Sequence, residues 1–402
     1  MNEHTRVRVR GPLAPHADGL CADLVAQGYT ALSAANQMRL MAHVSRWLHS
    51  RRLRPQELTP QRVEQFLRAR RRAGYTAWLS ERGLAPLLGH LRRIQILPAP
   101  CPPVAHTALD RLLERYDNYL LHERGLVTTT VRSRQVVARR FLSACLPCDR
   151  LELDRLTAAD VTRFVLQECR ACSVGSAKLI VTALRSLLHF LFLEGLTPAP
   201  LASAAPAVAG WRLSGLPRAV EPWQAARLLR SCDRRTPIGR RDYAILMLLV
   251  RLGLRAGEVV ALELADIDWR CGEILIRGKG RQQERLPLPM DVGEALVAYL
   301  RRGRASVGCD RVFLRSCAPQ GALASTGPTS VVYRASERAG LPRVGAHRLR
   351  HTAATHMLQR GASLPEIAQV LRHRSLMTTA IYAKVDRAAL RGLAQPWPGA
   401  DR

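Results

Sequence analysis

The sequence predicts a mainly α protein with one small antiparallel β-sheet, and three observations carry that expectation. Apolar residues recur at three- and four-residue spacing through most of the chain, the signature of helices with one buried face. Two long segments, 28–98 and 125–198, repeat one such pattern at an offset of about a hundred residues. Strand-like character is confined to a single patch, "DWRCGEILIRGKGRQQERLPLP" at 268–289, where Gly-Lys-Gly divides two short runs. With 402 residues the chain has room for two or three domains, and 47% apolar with 23% charged residues is the composition of a folded protein.

From the N-terminus, "MNEHTRVRVRGPLAPHADGL" contains no apolar run of signal-peptide length, so a cytoplasmic protein with mostly reduced cysteines is expected. Both related segments carry Leu-Thr before an apolar helical run, at Leu58-Thr59 and Leu156-Thr157, with threonine as the N-cap. Val161, Phe164 and Val165 continue the second run at helical spacing. The expectation is a helical domain at 1–100 duplicating another at 106–205, with Pro-rich "LPAPCPPVAH" (97–106) between them. The longest apolar stretch, "LIVTALRSLLHFLFLEGL", is interrupted by Arg185, His189 and Glu194 and reads as a buried helix, not a membrane span. Two C-x-x-C pairs, Cys145/Cys148 and Cys169/Cys172, approach a zinc spacing. Because the second pair continues a helix, packing is the preferred reading and no metal is expected.

A second linker rich in Pro, Ala and Gly, near 199–220, introduces a third domain at 215–402. Its strand patch predicts a hairpin with Lys279 at the turn. Helices are expected near 291–303, 329–339, 347–359, 364–372 and 376–384. Ser363 with Glu366 forms a capping box for the fourth, and Gly361 closes the helix before it.

The charge is far from ordinary. A formal +29 and a pI near 11.2 favour a polyanionic partner, and counterion release makes nucleic acid the leading one. Anionic membranes attract basic proteins too, but through a compact patch, whereas these arginines run the length of the chain. Of 61 basic residues only Lys178, Lys279 and Lys384 are lysine, so each sits where arginine did not serve or arrived late.

In the C-terminal half the groups able to do chemistry are Arg255 in "LGLRAGEV", Lys279 in "RGKGR", His347 and Arg350 in "GAHRLRHTAATHML", His373 in "LRHRS" and Tyr382 in "IYAKV". Their successive gaps are 24, 68, 3, 23 and 9 residues. In that order and spacing the chain resembles the tyrosine recombinase (phage integrase) family. The resemblance is strong over 215–392 and looser over 106–205; residues 1–100 lie outside its minimal pattern. One departure is Leu252-Gly253, where the family usually has Thr-Gly before the first arginine.

The resemblance implies an α+β catalytic domain at 215–402 and a helical, SAM-like core DNA-binding domain at 106–205. It implies a site-specific recombinase that cuts and rejoins DNA through a 3′-phosphotyrosyl intermediate, with neither metal nor ATP, to integrate, excise or transpose a mobile element. The expected partners are double-stranded DNA, further copies of the chain in a tetramer on two DNA sites, and other recombinases; no cofactor and no membrane are expected. The residue types fit that chemistry. A phenol attacks phosphorus and leaves again more readily than an aliphatic alcohol. Arg255 and Arg350 supply permanent forked cations for the phosphate oxygens, and His373 adds a hydrogen bond. His347, on the same helical face as Arg350, is expected to relay the tyrosine proton, and Lys279 to protonate the departing 5′ oxygen, which arginine cannot do.

Each residue also has a plainer reading. Arg255 and Glu258 could be an exposed ion pair, and Tyr382 a core aromatic. The i, i+4 histidines among His347, His351 and His356 match a zinc pair, but no third ligand is evident and the arginines alongside repel a cation. Two other functions compete: a DNA-binding regulator with a helix-turn-helix in "SLPEIAQVLRHRSLMTTAIYAKV", and a type IB topoisomerase. By the same resemblance, the amphipathic tail "DRAALRGLAQPW" is expected to dock on a neighbouring copy.

Overall fold

The computed structural model describes residues 7–99, 107–145, 152–209, 219–278, 282–373 and 375–385. It is mainly helical with a three-stranded antiparallel sheet, the class the periodicity predicts. The chain falls into two compact units, residues 1–98 with 215–402, and residues 99–214.

Within the first unit, α1 (Ala17–Ala26), α2 (Ala31–Ser50), α3 (Pro60–Arg72) and α4 (Glu81–Arg93) enclose a core of their own. Thr30 caps α2 by accepting from the Ser33 N–H, and Thr59 caps α3 by accepting from the Arg62 N–H, with Pro60 at the first helical position. Met38, Met41, Val44 and Leu48 recur at three- and four-residue spacing and are buried, which seats α2 in that core. Between α1 and α2 the chain meets the C-terminal segment. The Gln320 N–H donates to the Gln27 carbonyl at 2.9 Å, and Gly28 turns at φ +78° where a Cβ would stand 2.3 Å from Gln320 Cδ. Only glycine fits that approach.

The second unit holds α5 (Ala108–Asn118), α6 (Thr128–Cys145), α7 (Ala158–Cys169) and α8 (Val174–Leu193), again around one core. Among the described residues α8 is long and apolar enough to cross a membrane, yet its Leu184, Leu187, Leu188 and Leu191 are buried in this core. Cys148 lies outside the described residues; among those described, no three His, Cys, Asp or Glu side chains gather as a metal site.

The C-terminal segment is built on α10 (Pro237–Arg251), buried on every side from Ala244 to Val250 and packed by α9 (Pro222–Arg230), α12 (Met290–Arg302), α13 (Gly327–Arg338) and α14 (Ala346–Gln359). The expected hairpin is β2 (Glu273–Arg277) against β3 (Gln283–Pro287), in register Ile274↔Leu286, and β1 (Ile267–Asp268) adds a short third strand. Ile274, Ile276 and Leu286 alternate into the core. Lys279, in the connection between β2 and β3, and the tail after residue 385 lie outside the described residues.

Beyond α14 come α15 (Leu364–Val370), capped by Ser363 and Glu366 as the sequence predicts, and α16 (Leu376–Thr379). The helix expected at 376–384 is broken. After one α turn the chain tightens to a 3₁₀ helix, Ala380–Val385, which buries Tyr382. Among the described residues this segment therefore offers a single α turn in place of the long second helix that the helix-turn-helix reading expects.

Candidate active site

Four chain segments converge on one pocket. The first is the turn into α11 (Ala256–Ala261). Gly253 takes φ +59°, where a Cβ would lie 2.7 Å from Leu371 Cδ2, so the Leu-Gly-Leu-Arg turn needs glycine at this close approach. Arg255 then stands at the N-cap. Glu258, at the third helical position, accepts from the Arg255 N–H at 2.8 Å and from Arg255 Nη1 at 2.6 Å. Arg255 Nη2 donates to the Arg372 carbonyl at 3.1 Å. Its side chain stays 41% exposed, so one face of the guanidinium remains open to an anion.

Glu258 is not part of an exposed ion pair. It is 5% exposed and also accepts from Arg372 Nη2 at 2.7 Å. Burial alone would raise its carboxyl pKa; Arg372 and then Arg255 outweigh that and hold it below the usual range. Arg372 sits in the left-handed region at φ +54°, an unusual place for a residue with a long side chain.

On α14, Arg350 is almost fully buried, its Nη1 donating to the Gly253 carbonyl at 2.6 Å and its Nη2 to the Leu371 carbonyl. Burial, then the neighbouring Arg255, bring its pKa down to about 10, so it stays charged near neutrality. The same helix carries His347 and His351, whose rings meet edge to face at 4.5 Å. His351 Nδ1 lies 2.8 Å from the Tyr382 hydroxyl. The partner of the phenol is therefore His351, and His347 stands one ring further out.

Tyr382 is 1% exposed and packs on Ala354, Ile367 and Leu371. Burial pushes its hydroxyl up to about 12, against a smaller pull from Arg350. His373, after α15, pairs through Nδ1 with Thr379 Oγ1 at 2.7 Å. Burial brings both histidines down to about 4, helped by His347 and then Arg350 at His351, and by Arg350 and then Arg255 at His373. A cleft of about 320 Å³ opens over this group; Arg255, Gly278, Gln282, Arg372 and His373 are among its walls, so the hairpin that carries Lys279 borders it.

The two neutral histidines have a measurable consequence. Between pH 6.5 and about 4 the unfolded chain binds protons that the folded site refuses, so stability falls as pH drops through this window and is retained above it. Each contributes a slope on the order of 1 kcal/mol per pH unit. The melting temperature of the full chain is expected to fall from pH 7 to pH 5, and to fall less in the His351→Gln, His373→Gln double variant. A flat profile in the unsubstituted protein would refute this.

Of the six residues singled out from sequence, the described structure brings Arg255, His347, Arg350, His373 and Tyr382 into one region. Sequence reasoning weighed His351 only as one of a possible zinc pair, passed over Arg372 and Thr379, and offered Glu258 as an exposed ion-pair partner. The R-x-x-E capping pattern and the i, i+4 histidines were the available signals.

Comparison with known proteins decides the family. A model of the phage integrase family matches residues 218–388. A Sinorhizobium fredii protein named "Putative integrase/recombinase y4rA" is 41% identical over 394 residues, covering 97% of this chain and 95% of that one. Tyrosine recombinase XerD of Mycobacterium tuberculosis is 33% identical over 307 residues, covering 72% and 96%. The chain belongs to the tyrosine recombinase family. This recombinase shares its fold with solved XerH bound to a palindromic difH substrate, in a post-cleavage complex, at TM-score 0.60 and 20% identity over 74% of this chain and 99% of that one. A lambda integrase dimer on a COC′ core site matches at TM-score 0.52 and 19% identity, covering 67% and 96%. The recombinase is a site-specific one by its family, and its group of arginines and histidines lies inside the segment that the family model matches.

Proposed function

We propose that Tyr382 is the nucleophile of this recombinase and that cleavage passes through a 3′-phosphotyrosyl ester. A bond forms between the Tyr382 oxygen and the scissile phosphorus while the bond from phosphorus to the 5′ oxygen breaks. The phenol proton goes to a histidine, and the departing 5′ oxygen takes one from Lys279. Arg255 and Arg350 hold the non-bridging oxygens, and His373 donates to the same phosphate. Since the ester keeps the energy of the broken bond, a 5′-hydroxyl from a second duplex reverses the step without metal or ATP.

The observation that carries this reading is the 2.8 Å contact of Tyr382 with His351, the residue that follows the buried Arg350 on α14. His351 is neutral near pH 7 and can accept the proton, which gives it the role that the sequence alone assigns to His347. A phenol with a pKa of about 12 is protonated and inert at rest. Attack therefore requires the 375–385 segment to lift the ring out of its apolar seat when DNA fills the cleft. Residues 106–205 act as the core DNA clamp and 215–402 as the catalytic domain, four protomers join two sites, and the element moved is a mobile one, read from the integrase names of the relatives and the chain's +29 charge. The reaction takes place on cytoplasmic DNA.

Tyr382→Phe tests the nucleophile. On a nicked duplex bearing the protein's own flanking DNA, the variant is expected to bind with unchanged affinity and to form no adduct that survives denaturation. A variant that still forms the adduct would assign the nucleophile elsewhere. A type IB topoisomerase would relax supercoils as a monomer without its own site, and the same preparation checks for that.

A further inference from the structure

Residues 7–98 match the second helical domain element by element. Each has a short 3₁₀ turn (Pro55–Glu57; Leu153–Arg155), then a buried leucine (Leu58; Leu156), then a threonine N-cap (Thr59; Thr157). The buried positions fall in register too: Val63 and Phe66 of α3 stand where Val161 and Phe164 of α7 do, and Met41 and Val44 of α2 where Ala138 and Phe141 of α6 do. Gly28 and Gly125 both turn at positive φ before these helices. Generic helix packing does not require caps, turns and burial to coincide over about forty residues.

Charge adds a second, independent observation. Residues 7–98 hold fifteen arginines, no lysine and five acidic residues. The five carboxylates lie on elements other than α2. Asp23 on α1 holds Arg93, and Glu64 on α3 holds Arg68 and Arg71. Over its 20 residues α2 has no acidic side chain. Arg39 and Arg46 lie on its exposed side with His43 between them, and Arg51 follows at its end over the Trp47 ring. Among the described residues none of these three arginines is in an ion pair; Arg39 and Arg46 contact the neutral Asn36 and His43. Seven residues, about two helical turns, set Arg39 and Arg46 on one face of α2 about 10 Å apart, whereas Arg51 lies about 140° further round the helix. Phosphates of one strand advance about 3.4 Å each along the duplex, so the pair spans roughly three of them.

We propose that residues 7–98 are a second DNA-gripping domain, duplicated from the first, whose α2 face binds the phosphate backbone of duplex DNA through Arg39 and Arg46. This enlarges the footprint of the recombinase beyond what its other two domains cover. It rests on the chain being a DNA recombinase and is independent of which residue attacks phosphorus.

The test is equilibrium binding of the full chain to a long duplex carrying its own flanking DNA, over a series of KCl concentrations, with Arg39→Gln and Arg46→Gln combined. The slope of log K against log salt is expected to fall by about 0.9 per lost phosphate contact, so by about 1.8. The nuclease footprint should shorten, and covalent adduct on saturating substrate should persist. The Arg68→Gln, Arg71→Gln variant, whose arginines are committed to Glu64, should keep the original slope and footprint. Arg39→Lys with Arg46→Lys should also keep them, which separates lost charge from lost folding. An unchanged slope and footprint in the Arg39→Gln, Arg46→Gln variant would overturn the proposal. So would an equal loss in the Arg68, Arg71 control, or a loss of self-association with DNA binding intact.

Discussion

Lys279→Ala is expected to slow strand cleavage by about 10²- to 10⁴-fold while leaving DNA binding nearly unchanged, the size of effect that removing a general acid has. The 5′ oxygen is a poor leaving group without a proton. A duplex with sulfur in place of the bridging 5′ oxygen needs none, because a thiolate leaves unaided near neutral pH; a free thiol has a pKa of about 8.5. Cleavage of that substrate should therefore be restored in Lys279→Ala. Equal defects on oxygen and sulfur substrates would show that the lysine only attracts DNA. Its flanks support the assignment: Gly278 and Gln282 join by a 2.8 Å backbone hydrogen bond at the end of the hairpin, and both line the cleft with Arg255 and His373.

Glu258→Ala is the second large expected effect. This buried carboxylate accepts from two arginines and from the backbone that starts α11. Its removal leaves Arg372 buried beside an empty acceptor, and losing one partner of a buried ion pair destabilises by about 3–5 kcal/mol. It also frees Arg255 to swing away from the phosphate. Glu258→Gln keeps the shape and the cap but not the charge, so it should lose less stability. Thermal melts that rank alanine, glutamine and the unsubstituted protein in rising order support this account; an alanine variant as stable as the original contradicts it.

The sequence made the fold class readable because helix spacing, threonine caps and the Ser363–Glu366 box are local signals, and the structure carries each of them. The strand patch was readable for the same reason, although β1, only two residues long, has no pattern to detect. The candidate site was legible through chemistry. A phosphoryl-transfer pocket needs forked cations, a proton donor and a nucleophile, and few positions supply all three in one order. What stayed hidden depends on convergence. Arg255 reaches the carbonyl of Arg372 across 117 positions, and Glu258 is buried only because that turn folds over it. The break in the 376–384 helix likewise follows from Tyr382 seating against Ile367 and Leu371, contacts that no helical period encodes.

Trapping the recombinase on a nicked duplex, digesting the adduct and sequencing the peptide that carries the nucleotide tests the central claim most directly. The account predicts one modified peptide, with the 3′ phosphate on the oxygen of Tyr382. A nucleotide on any other residue, or a 5′ phosphate linkage, would contradict it.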